Sequence, residues 1–446
     1  MGKLPAAAPR RHPGYPPWVS GRVPERVEIR PFHALHYADD RVRLADVVSP
    51  PYDVIDDDLR RRLVARSPYN VVHLILPERG EEREAGDTFA EWREEGVVVR
   101  EPRPCMYWLE QHARGPDGVR RRRAGLIAAL RLEPYAPGRI RRHERTLDAP
   151  KAGRLAVLRA VRANLSPIFM SYGDPSRQIS AIFEPLVASR APIFEATDEE
   201  GTSHRLWRVC EDVPVRTAID VVGSRPLTIV DGHHRYETAL AYRNERRLAD
   251  GDPPELLAYD FAPVYLANRH DPGLVLFPTH RVVRGVDPEL WERLPELLAE
   301  RWELEEVTDL TALERRIAAP QRGVRSFGLV RGDGAPLLHA RLRGEAGTAL
   351  DAVAVGTLVL RDILGLDAEA VATTDRIAYR QSAEAAAALV AAEPPRTAVT
   401  LLVPAPSLSD VEAVADAGET MPPKSTFFFP KILDGMVFNQ LDPFEP

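Results

Sequence analysis

The feature that most constrains this chain is the run Leu227-Thr228-Ile229-Val230-Asp231-Gly232-His233-His234-Arg235-Tyr236-Glu237-Thr238-Ala239-Leu240. Pro226–Val230 reads as a buried strand, Asp-Gly breaks it, and the residues from His233 onward have helical spacing. A strand that passes through a glycine straight into a helix commits the middle of the chain to α/β layers. The corner is also suited to an anion. Free backbone N–H groups and the positive end of the helix dipole face whatever sits there, Gly232 allows close approach, and Arg235 can hold phosphate or carboxylate through two hydrogen bonds. His233 or His234 would add a donor or move a proton. The plainer alternative is that Asp231 caps the helix and the histidines are surface or core residues.

The texture on either side agrees. Asn70–Leu76 is β-branched and apolar, residues 83–95 have helical spacing, and Cys105–Gln111 and Ala124–Leu132 read as strands. Residues 151–163 read as a basic helix, Ser166–Met170 as a strand, and residues 204–221 as two short strands. Beyond residue 285 come helices at 288–301 and 309–319, strands at 325–330 and 337–342, and an Ala-rich helical stretch over 350–392. Thr202-Ser203-His204 and Gly332-Asp333-Gly334 read as hairpin turns. The expected fold is a mixed α/β (α+β) sheet: residues 1–27 a flexible extension, 28–284 a catalytic or ligand-binding domain, and 285–446 a C-terminal α/β lobe whose end packs back on the first domain.

Composition excludes several classes. The chain of 446 residues carries a net charge of −7, against a main role in neutralising nucleic-acid backbones. Its 41 Pro and 28 Gly stay below the ~25–30% that signals disorder. No apolar run reaches the ~18–20 residues of a membrane span, and the N-terminus lacks the apolar core of an export signal, so a cytoplasmic protein without membrane partners is expected. Cys105 and Cys210 have no C-x-x-C spacing and are expected as ordinary packed thiols. Walker-type, G-x-G-x-x-G and H-E-x-x-H patterns are missing, so a nucleotide site here must be of another kind.

Other segments carry candidate chemistry. In His143-Glu144-Arg145-Thr146, many neighbouring cations should keep Glu144 ionised as a base or metal ligand, with Arg145 and Lys151 neutralising a transferring phosphate; a solvated ion-pair cluster is the alternative. Thr279-His280-Arg281 follows an apolar strand and could converge on the Gly232 corner. In Ser49-Pro50-Pro51-Tyr52-Asp53, the prolines either shape a turn or present Tyr52 and Asp53. Lysine occurs only at Lys3, Lys151, Lys424 and Lys431, with arginine everywhere else. Lys424 and Ser425 are therefore candidates for phosphate contact, since a compact ammonium and a guanidinium are not interchangeable at shaped sites. Phe427, Phe428 and Phe429 are expected in a core strand.

Asp231 to Ala239 resembles the phosphate-binding signature of the ParB/sulfiredoxin-like fold, which includes nucleotide-hydrolysing partition proteins, sulfinic acid reductases and free-serine kinases. More widely, Arg30-Pro31-Phe32, Ser49 to Asp53, Ser67-Pro68-Tyr69-Asn70, His143 to Thr146, Asp231 to Leu240, Pro278 to Arg281 and Met421-Pro422-Pro423-Lys424-Ser425-Thr426 resemble the family called domain of unknown function 1015. The resemblance implies a ParB/sulfiredoxin-like core elaborated by insertions. It also implies a phosphotransferase or phosphohydrolase that takes a nucleotide (ATP, ADP or CTP) or another phosphorylated small molecule, with a hydroxyl amino acid such as serine as acceptor. In the free-serine kinases a glutamate is the base, a role that falls here to Glu144, with His143, His233 and His234 beside it. Mg²⁺ is expected on Asp231, Glu144 and Asp53. Two alternatives are a nucleotide-binding regulatory module of the ParB type and a metal-dependent hydrolase using His143, His233, His234 and His280.

Overall fold

The apolar runs of the first two thirds of the chain pair into one mixed sheet of nine strands. The computed structural model describes residues 26–135, 139–146, 148–319, 324–332, 334–344, 350–367, 370–371, 374–422 and 424–442, leaving out the side chains of 148–150. Residues 1–25 of the expected extension, Asp333 of the expected turn and Pro423 lie outside the described residues.

Across the large sheet the order is Ile140–Arg141, Leu227–Asp231, Ile168–Tyr172, Phe261–Asn268, Arg120–Arg131, Met106–Arg114, Ser203–Val209 and Phe194–Thr197, with Ile29–Arg30 also on Arg120–Arg131. Leu227–Asp231 runs antiparallel to Ile168–Tyr172, which is parallel to Phe261–Asn268, so parallel and antiparallel pairs mix on the half that carries the corner. Helices Asp148–Val161 and His233–Ala249 pack together on this half. A second, antiparallel sheet of six strands contains Trp302–Val307, Leu337–Leu342, Ser326–Arg331, Val399–Leu402, His280–Val283 and Ile377–Arg380. Sheet membership thus changes between Asn268 and His280, ahead of residue 285.

The end of the chain returns to the large sheet. Phe427–Phe429 pairs with Val275–Phe277, Asp434 bridges Ser49, Phe438 bridges Leu35, and Asn439–Gln440 pairs with Ala163–Asn164. One fully buried arginine anchors this C-terminal strap: Arg123 Nη1 donates to Phe429 O at 3.1 Å and Nη2 to Pro430 O and Gln111 Oε1 at 2.5 Å each. Gln111 Nε2 donates to Lys431 O at 2.9 Å. Buried and without a carboxylate in these bonds, Arg123 fixes the main chain on either side of Pro430, and with it the Lys431 side chain.

Several local expectations change. Asn70–Leu76 forms the short helix Val72–Ile75: Asn70 accepts from Val72 N and donates to the carbonyls of Asp46 and Val48, which favours a turn over a strand. The second half of 204–221 is the helix Asp212–Gly223, whose buried Ala218, Val221 and Val222 recur at helical spacing despite their β-branched character. Ser203 and His204 begin a strand, and the reversal falls at Asp198–Gly201. The Ala-rich stretch is interrupted by the strand Ile377–Arg380. Cys105 and Cys210 are not free thiols: they form a disulfide. Short-range spacing does not test such a pair. The register Met106↔Val209 on antiparallel strands places the residues just outside it, Cys105 and Cys210, opposite each other. Among the described residues, no helix is long and apolar enough to cross a membrane.

Candidate functional site

Gly232 adopts φ +90°, which turns the strand Leu227–Asp231 into the helix His233–Ala249. A β-carbon there would lie 2.8 Å from Arg235 Nε, so glycine also makes room for that guanidinium. Asp231 does not cap the helix. Its Oδ2 accepts from Arg235 Nη2 at 2.8 Å and its Oδ1 from Lys431 Nζ at 2.7 Å. Burial pushes its carboxyl up, but Lys431 and Arg235 outweigh burial and hold it well below the usual range. Arg235 Nη1 donates to Pro167 O at 2.6 Å and lies 4.0 Å from Asp434 Oδ1.

Four sequence segments meet at this corner. Met421 N donates to His143 O at 2.7 Å and Arg145 N to Met421 O at 3.2 Å, tying the His143–Thr146 loop to the strap. Ser49 and Asp434 exchange main-chain bonds, and Lys424 Nζ donates to Asp53 Oδ2 at 2.6 Å. Burial raises the Asp53 carboxyl, and Lys424 more than reverses this. Lys424 sits at φ +58°, and burial, which would lower its pKa, is outweighed by Asp53 and Glu144. Ser425 is buried, with its hydroxyl on Pro422 O at 2.7 Å. Glu237 organises a second group: Thr146 Oγ1 donates to it at 2.7 Å, Lys151 Nζ at 3.2 Å and Arg142 Nη1 at 3.3 Å.

Glu144 reverses an expectation. Burial, reinforced by the charge of Asp231, pushes its carboxyl up to about 7, and the opposing Lys424 and Lys431 do not offset this. Counting cations along the sequence misses the cost of removing the carboxylate from water. Arg145 is exposed.

The histidines divide by burial. His143 Nδ1 faces Ile229 O at 2.8 Å, so it carries the proton, and Nε2 accepts from Thr426 Oγ1 at 3.1 Å. Burial pushes His143 down to about 4. His233 packs edge-on against it at 4.7 Å and is held well below the usual imidazole value by burial, with Nε2 unpartnered among the described residues. His234 is half-buried and also lowered by burial, with Glu237 and Asp53 opposing.

Thr279, His280 and Arg281 make their hydrogen bonds away from the corner. They are buried in the second sheet, whose strand His280–Val283 lies between Val399–Leu402 and Ile377–Arg380; His280 Nδ1 accepts from Val403 N at 3.2 Å and Arg281 Nη1 donates to Thr279 O at 2.6 Å. The link is electrostatic: Tyr379, raised by burial, feels Arg281 and Lys424 as well as Glu144. The expected metal sets do not form. Among the described residues no three His, Cys, Asp or Glu gather to hold an ion, and Asp53 and Asp231 spend their charge on Lys424, Lys431 and Arg235. These residues do not fit a protein-held Mg²⁺, and the four histidines do not form a transition-metal centre.

The family model described as protein of unknown function, DUF1015, matches residues 29–357. The chain belongs to that family. No curated protein matches it. Among solved structures, a free serine kinase in complex with AMP aligns at 16% identity over 68% of this chain and 97% of that one, with a TM-score of 0.36. A variant of a free serine kinase in complex with ADP aligns at 15% over 68% and 95%, TM-score 0.35. SbnI with a C-terminal truncation, from Staphylococcus aureus, aligns at 14% over 69% and 85%, TM-score 0.32. Likenesses of this size leave the function of the DUF1015 chain to be argued from its own residues. Lys431, Glu237 and Asp434 lie at this corner without having been singled out as site residues from the motifs; the scarcity of lysine, which drew notice to Lys424, was a signal for Lys431 as well.

Proposed function

We propose that this chain is a phosphotransferase or phosphohydrolase that binds a nucleotide (ATP, ADP or CTP) at the Gly232 corner, with a hydroxyl amino acid such as serine, or water, as acceptor. The observation that carries the reading is the gathering of Lys424, Lys431 and Arg235 about Asp231 at the head of a helix, with Glu144 beside them. In this reading phosphate oxygens take the cations from Asp53 and Asp231. The acceptor hydroxyl oxygen attacks phosphorus, the bond to the leaving phosphate oxygen breaks, and the hydroxyl proton passes to Glu144, whose pKa of about 7 suits a base at neutral pH. His143, neutral at that pH and bonded at both ring nitrogens, orients the loop that carries Glu144. The ParB/sulfiredoxin-like core and a cytoplasmic setting belong to the same proposal, although disulfides are uncommon in that compartment.

The test follows labelled phosphate from nucleotide to serine or water, alongside nucleotide-dependent thermal stabilisation. Arg235→Ala should abolish stabilisation. Glu144→Gln should keep it and lower turnover by about 10²–10⁴, and the wild-type rate should rise with pH through about 7 as Glu144 ionises. Equal stabilisation of wild type and Arg235→Ala refutes the site; binding without transfer across a broad acceptor panel favours a regulatory module.

A further inference from the structure

Arg235 also lines a partly open cavity of about 70 Å³ to which the helices Asp148–Val161 and His233–Ala249 both contribute side chains. Val157, Leu158 and Ile168 give it apolar walls, and Tyr52, Arg154, Asn164, Ser166, Arg235 and Thr238 are its polar residues. Arg154 is unusual in this arginine-rich chain. Its guanidinium stacks on Tyr52 at 4.5 Å and donates to the carbonyl of Ile75, yet no carboxylate of the described residues lies within ion-pair distance. Half-buried and lowered by burial, it makes no ion pair among the described residues and feels Asp434 and Glu82 only from a greater distance. Thr238 is buried as well, and its hydroxyl has no partner among the described residues.

A partly desolvated charge gains from a partner in contact, so a guanidinium that has no ion pair at a cavity wall can take an anion from outside the chain. The volume sets the size: at ~10–15 Å³ per water-sized group, the cavity holds roughly five to seven such groups. The walls set the rest. A dianionic phosphate calls for more than one cation, whereas the cavity offers one guanidinium free of an ion pair, a second already shared with Asp231, neutral hydroxyl and amide groups of which Ser166 is turned to Asp434 and Asn164 to Asn439, and mostly apolar surface. A carboxylate needs only the fork of Arg154 and leaves its body for the walls.

We infer that this cavity binds a small aliphatic carboxylate, with the carboxylate on Arg154 and the body against Val157, Leu158 and Ile168. The site requires no nucleotide and stands apart from the phosphotransfer reading. Where both hold, Arg235 touches each, and the carboxylate and the phosphate are neighbours across one guanidinium.

The test is calorimetric titration of the full chain, free of nucleotide, with propionate, butyrate, lactate and serine, with butyramide as the uncharged control and with inorganic phosphate. One or more of the acids should bind saturably at one site and butyramide should not. Arg154→Met, which keeps the stem that packs on Tyr52, should weaken acid binding by about tenfold or more. Leu158→Trp, which fills the cavity, should abolish it. Because the acid-against-amide comparison uses wild type, it stands even if Leu158→Trp does not fold. No saturable binding by any acid, phosphate binding where acids do not, or acid binding unchanged in Arg154→Met overturns the inference. None of these outcomes bears on nucleotide stabilisation at Asp231, so the two proposals fail separately.

Discussion

Replacing Asp434 by asparagine should stabilise this protein, and increasingly so as pH rises. Asp434 is fully buried on the strap, opposite Ser49, and is faced by Arg235, Ser166, Asp53, Asp231 and Arg154. Burial pushes its carboxyl from 3.8 up to about 7; Arg235 and Ser166 oppose this, and Asp53 and Asp231 add to it. At ~1.4 kcal/mol per pH unit the gap amounts to about 4 kcal/mol. The folded chain holds this proton more tightly than the unfolded chain. The group's contribution is therefore fully present below about pH 4 and is lost as pH rises through about 7. Asparagine imitates the protonated form and does not titrate. Asp53 and Asp231, depressed by their cations, have the opposite pH dependence but remain in both proteins. Urea and thermal unfolding at pH 4 to 8 should show the two proteins close together at pH 4, with the variant gaining roughly 3–4 kcal/mol by pH 8. A difference that stays flat with pH, or a wild type that gains on the variant as pH rises, would refute a neutral buried carboxyl behind Arg235.

Gly232→Ala should cost about 1–2 kcal/mol for its left-handed backbone and should push Arg235 off Asp231, since the new methyl would sit 2.8 Å from Nε. Thermal midpoints and ATP-dependent stabilisation check it, and an unchanged nucleotide response would count against Arg235 as the phosphate grip. Reducing Cys105–Cys210, which joins residues 105 apart in sequence, should lower stability by about 2–4 kcal/mol. Cys210→Ser should show the same loss and no further response to reductant; identical unfolding of oxidised and reduced wild type would refute a stabilising role.

What was legible in the sequence was whatever the periodicity of one segment dictates. The passage from Leu227–Asp231 into the helix from His233 could be read because strand, glycine and helix are adjacent in sequence. The helices Glu82–Glu94, Pro288–Ala299 and Leu310–Ala318 announce themselves by spacing alone. Short apolar runs were misread where a side chain decides the backbone, as Asn70 does for Val72–Ile75. Features that join distant segments stayed hidden. The disulfide depends on the register of two strands, and the placement of Lys431 on Asp231 depends on Arg123 holding Phe429 and Pro430. The sign of the shift at Glu144 depends on how much water the strap removes, which no local charge count measures.

The scarcity of lysine takes on a physical meaning once the strap is in place. Lys3 lies outside the described residues; the other three lysines take Glu237, Asp53 and Asp231 as partners. Where carboxylates crowd, an ammonium serves each as a compact charge with rotatable donors, while a planar guanidinium would impose its fork on groups too close to share it. At Asp231 the two are combined, Lys431 on one oxygen and Arg235 on the other. The same crowding sets the charge balance of the corner. Lys424, Lys431 and Arg235 face Asp53 and Asp231 as full charges, while Glu144 and Asp434 titrate near neutrality. An incoming polyanion meets more positive than negative charge as long as those two carboxyls keep their protons. The corner is therefore stable without a ligand because every full carboxylate has a cation, and it can receive an anion because two of its acids need not be charged.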